Sequence, residues 1–276
     1  MFVHIAVSEK MLRSFLTFLL LAAMTTILGG VVEDGLKQTS LHERVCMRAF
    51  FNDAIKMDQI AHVLYFENKP ISIIAKTLRC NNVKYFNDSL CLKGWMAFKK
   101  YEHLFPHPHF LFSESIVSFD ESFKVLHVYL INKDATYTCL EKNLYHFRKT
   151  LGEEFNPREF ILQLEKGVPL DILLNKDEML LGILLGFGEE SSKAFVDFNT
   201  KQIEPFESPK EERYCAINLK KPRGCKINPV VFMGNPNSPQ VLDLASDYEK
   251  ELEEISRIYG EKKDPLKMVL EKLCEK

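Results

Sequence analysis

The sequence predicts an α+β protein: a mostly helical body with a small antiparallel sheet or hairpins, preceded by an N-terminal hydrophobic signal or anchor helix. Several segments repeat apolar residues at steps of three and four, which is typical of amphipathic helices. Two neighbouring stretches, FLFSESIVSF and FKVLHVYLIN, instead alternate or run apolar, as strands do. Because hairpins occur among helices in mixed order, α+β is the favoured class.

The composition is that of an ordinary folded protein. The chain has 276 residues, enough to bury a sizeable core, and 46% of them are hydrophobic. Its 36 Lys and Arg residues stand against 38 Asp and Glu residues, which gives a net charge of −2. Since no basic excess exists to hold a polyanion, no nucleic-acid partner is expected. The 21 phenylalanines predict a core rich in aromatic rings.

The N-terminus has the layout of an export signal. Lys10 and Arg13 precede an uncharged stretch from Ser14 to Val32, and Glu33 and Asp34 follow it. A short basic region before an apolar core is typical of a signal peptide. The stretch also approaches the roughly 17–25 residues that span a bilayer as a helix. Basic residues before the stretch predict that the body lies outside the cytoplasm.

Residues 1–32 are therefore predicted to be a signal peptide or a signal anchor. Their most apolar part, Phe15 to Met24, has the length of a signal-peptide core, but no clean A-x-A cleavage site follows. A buried hairpin helix of a cytosolic protein is the remaining alternative. Because the basic-apolar pattern begins at Met11, translation starts at either Met1 or Met11. The body is expected to be periplasmic or membrane-anchored.

After a polar connector at residues 33–41, residues 42–276 are predicted to form a single α+β domain. The helices expected in its first half have apolar residues on one face and cover residues 42–57, 59–66 and 89–105. The run ISIIAKTL at 71–78 fits either a strand or a helix. Strands at 110–119 and 123–132 are expected to form a hairpin around residues 120–122.

The second half of the domain has clear helix boundaries. A helix is predicted over about 135–151, ending at Gly152. Asn156 followed by Pro157 predicts a helix start, and Asn175 with Glu178 resembles a capping box. The charged residues 200–213 suggest a loop or sub-domain boundary. The remaining elements are strands at 214–219 and 226–234, a helix at 239–259 and a helix that begins at Asp264-Pro265.

The densest group of ionisable residues is KYEHLFPHPHFLF, which contains His103, His107 and His109. Two histidines at i and i+2 on an extended chain point the same way, and three imidazoles make a catalytic type of zinc site. No standard metalloenzyme spacing is present, so surface or capping histidines are the favoured interpretation. No cofactor is predicted, and zinc is the alternative.

The seven cysteines contain no C-x-x-C pair, which excludes the commonest zinc and redox motifs. In an exported protein, Cys80 with Cys91 and Cys215 with Cys225 are close enough in sequence to be candidate disulfides. Cys80 and Cys91 are also the candidates for a thiol nucleophile.

Three glycines lie in the apolar run MLLGILLGFGEESSKAF, at Gly182, Gly186 and Gly188. Their spacing does not match a dinucleotide-binding or phosphate-binding motif, and the run is about half the length of a membrane span. We therefore expect a buried helix in which Gly182 and Gly186 allow a neighbour to approach closely. Gly188 is expected to turn the chain before a helix that starts at Ser191-Ser192.

Two segments, LLGILLGFGEESSKAF and VVFMGNPNSPQVLDLASDYEKELEEISRIYG, resemble uncharacterised exported proteins of Chlamydia-like and Legionella-like intracellular bacteria. In those proteins a Leu-Leu-Gly-x-Leu-Leu-Gly-aromatic-Gly segment precedes a short helix, and a late strand leads to a helix with an Ile-x-x-x-Tyr end. The resemblance covers about residues 105–260. It implies export and a shared fold, and it implies no activity.

The preferred hypothesis is an exported non-enzymatic protein of the bacterial envelope or host interface, with a protein or membrane partner. No oligomer is predicted. The first alternative is an exported hydrolase that uses the histidine cluster or a cysteine nucleophile. The second is a protein that binds a small apolar ligand in its phenylalanine-rich interior.

Overall fold

A computed structural model of the chain shows an α+β fold in which an antiparallel sheet lies between two helical layers. The structure describes residues 30–79, 90–118, 124–201, 215–260 and 264–275. The described helices are α1 (residues 30–37), α2 (Leu41–Met57), α3 (Ile60–Tyr65), α4 (Leu90–Tyr101), α5 (Lys133–Lys142), α6 (Leu144–Leu151), α7 (Pro157–Glu165), α8 (Leu170–Leu173), α9 (Glu178–Leu184), α10 (Gly188–Lys201), α11 (Pro239–Tyr259) and α12 (Pro265–Cys274). The described strands are β1 (Ile71–Arg79), β2 (Phe110–Ser118), β3 (Lys124–Asn132), β4 (Cys215–Asn218) and β5 (Val231–Gly234).

Strand β3 lies in the middle of the main sheet, whose order is β1-β3-β2 with antiparallel pairing throughout. Ile131 of β3 stands opposite Ile71 of β1 and Leu111 of β2. The pairing of β2 with β3 agrees with the predicted hairpin, although its connecting residues 120–122 lie outside the described residues. Pairing with β3 also makes ISIIAKTL a strand.

Helices cover both faces of the sheet. The first core lies between the sheet and α2, α4 and α12, and it includes Phe50, Phe51, Trp95, Phe98, Val128 and Leu130. The second core lies on the opposite face against α5 to α9, and it includes Tyr129, Ile131, Leu140, Phe147 and Phe160. Because successive β3 side chains enter opposite cores, the strand is apolar on both faces.

A third core joins the small β4-β5 sheet to α11. Its buried members are Leu219, Val230, Phe232, Val241 and Tyr248. Phe187, which lies between α9 and α10, stacks on Phe232 with ring centroids 6.2 Å apart. The apolar seam of α11, formed by Val241, Ala245, Tyr248, Leu252 and Ile255, therefore packs inside the chain.

Helices α2 and α4 approach each other closely at a glycine. A Cβ atom at Gly94 would lie 2.1 Å from the Cys46 carbonyl oxygen. One residue later, Trp95 is buried, and its indole N–H donates to the Glu114 carboxylate on β2. Met96 is 57% exposed because it faces away from this contact.

Several helix starts follow local sequence rules. Asn156 accepts hydrogen bonds from the N–H groups of Arg158 and Glu159, as predicted, and Asp264 caps α12 through the Leu266 N–H. The expected capping box at Asn175 is wrong. Asn175 adopts a left-handed conformation with φ 51°, and Asp177 caps α9 instead.

Two further boundaries differ from the sequence prediction. The helix expected over 135–151 is two helices, because the chain turns at Asn143, whose side-chain amide donates to the Cys139 carbonyl. The polar connector expected at 33–41 is largely helical in α1. It also contributes Leu36 to the surroundings of the first core, where Val32 is fully buried.

The predicted signal or anchor segment lies outside the described residues up to residue 29. Cys80 and most of the predicted loop at 200–213 also lie outside them. Within the described ranges, no helix combines the length and the apolar character that crossing a membrane requires.

Substituting Gly94 with alanine is expected to destabilise the fold by roughly 1–3 kcal/mol or more, because the new Cβ would meet the α2 backbone. Gly30→Ala is the matched control, since no described atom lies within 4 Å of the added Cβ there. Urea unfolding would measure both changes. Equal stability of the two variants would contradict the close helix contact.

Candidate functional site

Five residues from α3, the α3–β1 connection and α11 meet between the three cores. They are His62, Asn68, Lys69, Tyr248 and Glu251, named here the buried polar cluster. His62 and Tyr248 are fully buried, and Lys69 and Glu251 are nearly so. Asn68 is exposed, so the cluster lies directly beneath the surface at that residue.

Glu251 is the acceptor at the centre of the cluster. Its Oε2 atom lies 2.7 Å from His62 Nδ1, and its Oε1 atom accepts a 2.7 Å hydrogen bond from the Asn68 side chain. These contacts connect residues 189 and 183 positions apart in sequence. The carboxylate thereby holds α11 against α3 and the connection that follows it.

Lys69 is a buried cation facing the turn between α9 and α10. Its Nζ atom donates to the Leu185 carbonyl at 3.0 Å and lies 5.0 Å from the centroid of the Phe187 ring. Burial lowers the pKa of Lys69 to about 7, although the charge of Glu251 acts in the opposite direction. The Lys69 amine is therefore about half protonated near neutral pH.

Burial also lowers the pKa of His62, and it outweighs the opposing effect of the Glu251 carboxylate. The charge of Lys69 lowers it further. Since the carboxylate is an acceptor, we assign the single proton of neutral His62 to Nδ1. The Nε2 atom has no hydrogen-bond partner among the described residues.

Tyr248 reaches the α9–α10 turn through a glycine. Its hydroxyl donates to the Gly186 carbonyl at 2.8 Å and lies 3.3 Å from the Asn68 carbonyl oxygen. Gly186 has φ 80°, and a Cβ atom there would lie 2.3 Å from the Asn68 oxygen and 2.4 Å from the Tyr248 hydroxyl. Only glycine fits both this conformation and this space.

The three predicted glycines have different roles. Gly186 ends α9 in a Schellman motif, because Phe187 N–H donates to the Gly182 carbonyl and Gly186 N–H to the Ile183 carbonyl. Gly182 packs on α10, where its added Cβ would lie 2.7 Å from Ser192 Oγ. Gly188, with φ 74°, begins α10, so this helix starts earlier than the expected Ser191.

The structure does not gather the predicted metal ligands. Both ring nitrogens of His107 face oxygen acceptors: Nε2 lies 3.1 Å from Glu102 Oε1, and Nδ1 lies 2.9 Å from the Phe110 carbonyl. Burial lowers the pKa of His107, but these hydrogen bonds outweigh it and the net pKa is raised. A protonated imidazole has no lone pair for a metal.

His109 pairs instead with Asp134, with Nδ1 2.9 Å from the carboxylate, and His103 is exposed. Across the described ranges, no three His, Cys, Asp or Glu side chains are arranged to hold a metal ion. The zinc alternative therefore gains no support from the geometry.

One of the two candidate disulfide pairs has both cysteines among the described residues. Cys215 and Cys225 both carry free thiols in the described structure, so the predicted bridge between them is not formed. Cys225 donates to the Ile227 carbonyl, whereas Cys215 is exposed on β4. The other candidate bridge involves Cys80, outside the described residues; its predicted partner Cys91 donates to the Ala49 carbonyl at 3.8 Å.

An open groove of about 570 Å³ lies beside the predicted histidine cluster. This apolar groove is lined by Pro106, His107, Pro108, His109, Phe110, Leu111 and Cys274. It therefore lies between the start of β2 and the end of α12. Its two prolines, Phe110 and Leu111 suit an apolar group more than a charged one.

No sequence motif singles out the five cluster residues. In the sequence, Asn68-Lys69-Pro70 indicates only a helix break, because proline cannot continue a helix. The available signal was Glu251, which lies on the apolar seam of α11 between Tyr248 and Ile255. A carboxylate on a buried helix face requires a partner, but the sequence does not identify that partner.

Comparisons with known proteins identify no relative of this chain. No protein-family model matches it, and neither a curated protein nor a solved structure is significantly similar to it. The resemblance to exported proteins of intracellular bacteria therefore stays a prediction.

Gly186→Ala should destabilise the protein by more than Gly167→Ala. Both glycines have nearly the same left-handed φ, 80° and 82°, but no described atom lies within 4 Å of an added Cβ at Gly167. Gly167→Ala, the control, therefore has only the conformational cost of a side chain at positive φ, about 1–2 kcal/mol. Gly186→Ala has the same cost and adds the clash with the cluster, roughly 1–3 kcal/mol. Denaturant unfolding of both variants measures the difference. Equal losses would mean that the cluster can relax around a methyl group.

Proposed function

We propose that this chain is an exported, non-enzymatic binding protein of a bacterial envelope or host interface. In this proposal the α+β body is carried at the end of an N-terminal signal or anchor segment. The partner is a protein or a membrane that contacts the apolar groove. The observation that carries the proposal is the direct docking of α1, whose first residues end the hydrophobic stretch, onto the body.

Helix α1 is attached to the body by buried contacts. Val32 is fully buried in the first core, and an added Cβ at Gly35 would lie 2.6 Å from the Phe105 ring. Glu33 and Lys267 add an ion pair at 2.6 Å, which is exposed and contributes little. An anchor ahead of residue 30 would therefore hold the body at the membrane surface with almost no intervening spacer.

The apolar groove adjoins this attachment. It begins at Pro106, one residue after Phe105, whose ring contacts Gly35 of α1. This position supports a partner at or near the membrane.

The ionisable side chains described here support binding more than covalent chemistry. His107, His109 and His146 each lie within about 3 Å of a carboxylate, at 3.1, 2.9 and 3.0 Å. Burial raises the pKa of Cys139 and of Cys274 to about 11, so both are protonated thiols at neutral pH. These groups are committed to packing and ion pairs.

Export can be tested with a C-terminal reporter enzyme that is active only outside the cytoplasm. The full chain is expected to give reporter activity in a bacterial host. Leu20→Arg should reduce it strongly, because an arginine in the apolar segment costs about 2.5–3.5 kcal/mol on insertion. Leu41→Arg is the control, since Leu41 is 70% exposed and lies beyond the segment.

Mass spectrometry of the purified chain separates the two fates of residues 1–32. A mature N-terminus ahead of α1 indicates a cleaved signal, and an intact N-terminus in the membrane fraction indicates an anchor. A cytoplasmic chain with an intact N-terminus and a silent reporter would refute the proposal.

The apolar groove favours a second candidate function, the binding of a small apolar ligand. A fluorescent fatty acid is expected to bind the full chain, and Pro108→Glu should weaken that binding at least several-fold by placing a charge in the groove. Leu242→Glu changes an exposed residue of α11 outside the groove and should have no effect. Unchanged binding by the groove variant would exclude this site.

A further inference from the structure

We propose that the buried polar cluster is an acid-sensitive clasp. It holds the α9–α10 turn and α11 against the α3–β1 connection, and it releases them locally as the pH falls. This inference concerns the described body and is independent of export and of any partner.

The clasp joins segments that are distant in sequence through polar contacts. Lys69 holds the Leu185 carbonyl, Tyr248 holds the Gly186 carbonyl, and Glu251 holds His62 and Asn68. Because buried polar groups are costly without partners, losing one contact weakens the others. The five residues should therefore open and close together.

The charges of the buried groups limit how many of the two bases in the cluster can be protonated together. Glu251 on α11 and His62 on α3 interact electrostatically with Lys69, and Glu251 and Cys139 of α5 interact with Tyr248. Glu251 is the one carboxylate among these named groups. It can balance a single positive charge, so a cluster with both Lys69 and His62 charged carries an uncompensated buried cation.

The direction of the pH effect follows from the two basic groups. Lys69 has a pKa of about 7 in the closed structure against an ordinary 10.5, so the open form binds more protons between those values. Closure therefore weakens as the pH falls from about 10.5 to 7, and this loss is complete below 7. The pKa of His62 is lowered from 6.5, so its protonation weakens closure further below that pH.

Hydrogen exchange of the full chain, corrected for intrinsic exchange rates, tests the clasp. As the pH falls from about 9.5 to 7, the opening constant of amides in residues 182–190 and 245–255 should rise by up to about tenfold for each pH unit. Lys69→Met should remove this slope while keeping a chain of similar length in the core. Lys250→Met changes an exposed lysine of α11 and should keep the slope.

Three results would overturn the proposal. They are a flat opening constant in the wild type, an unchanged slope in Lys69→Met, and an equal loss of protection throughout the first core. If Lys69→Met does not fold, NMR of lysine-labelled wild-type chain decides the question. A Lys69 resonance that titrates near 7 supports the clasp, and one that titrates near 10.5 refutes it.

Discussion

Burial of strand β3 on both faces is the constraint on which the rest of the structure depends. A strand with apolar side chains in both directions requires a helical layer on each side. Val128 and Leu130 supply the first core, whereas Tyr129 and Ile131 supply the second. The edge strands complete its hydrogen bonding, and Gly94 then allows α4 to approach α2 above the first face.

The third core does not rest on this sheet. Helix α11 carries Leu252 and Ile255 into the first core, and a polar connection joins α11 to the sheet as well. The connection begins at Lys69, just before β1, and reaches α11 through Glu251 and the α9–α10 turn through the Leu185 carbonyl. The turn itself depends on Gly186, because a side chain there would displace Tyr248. The glycine-containing run thus ends one helix and also receives the polar contacts that join the second and third cores.

Features set by neighbouring residues could be predicted from the sequence, and features set by distant residues could not. Asn156 and Asp264 begin helices because each caps N–H groups two or three positions away. The strand at 71–78 remained ambiguous because its partner β3 is about 50 positions away. The cluster was missed for the same reason, since His62 and Glu251 are 189 positions apart. Cys215 and Cys225 are close in sequence but carry free thiols, because proximity in sequence does not provide disulfide geometry.

A buried cation and carboxylate are rarely the most stable way to fill a protein interior, since apolar residues of similar volume often perform as well or better. Their value lies in specificity or in response to protonation. Here Lys69, His62 and Glu251 lie together beneath exposed Asn68, at the junction of α3, α11 and the α9–α10 turn. An apolar junction would hold these segments equally at every pH. Where two bases face one acid, protonation of both bases leaves one buried cation unbalanced, so the same contacts that complete the fold also make it responsive to acid.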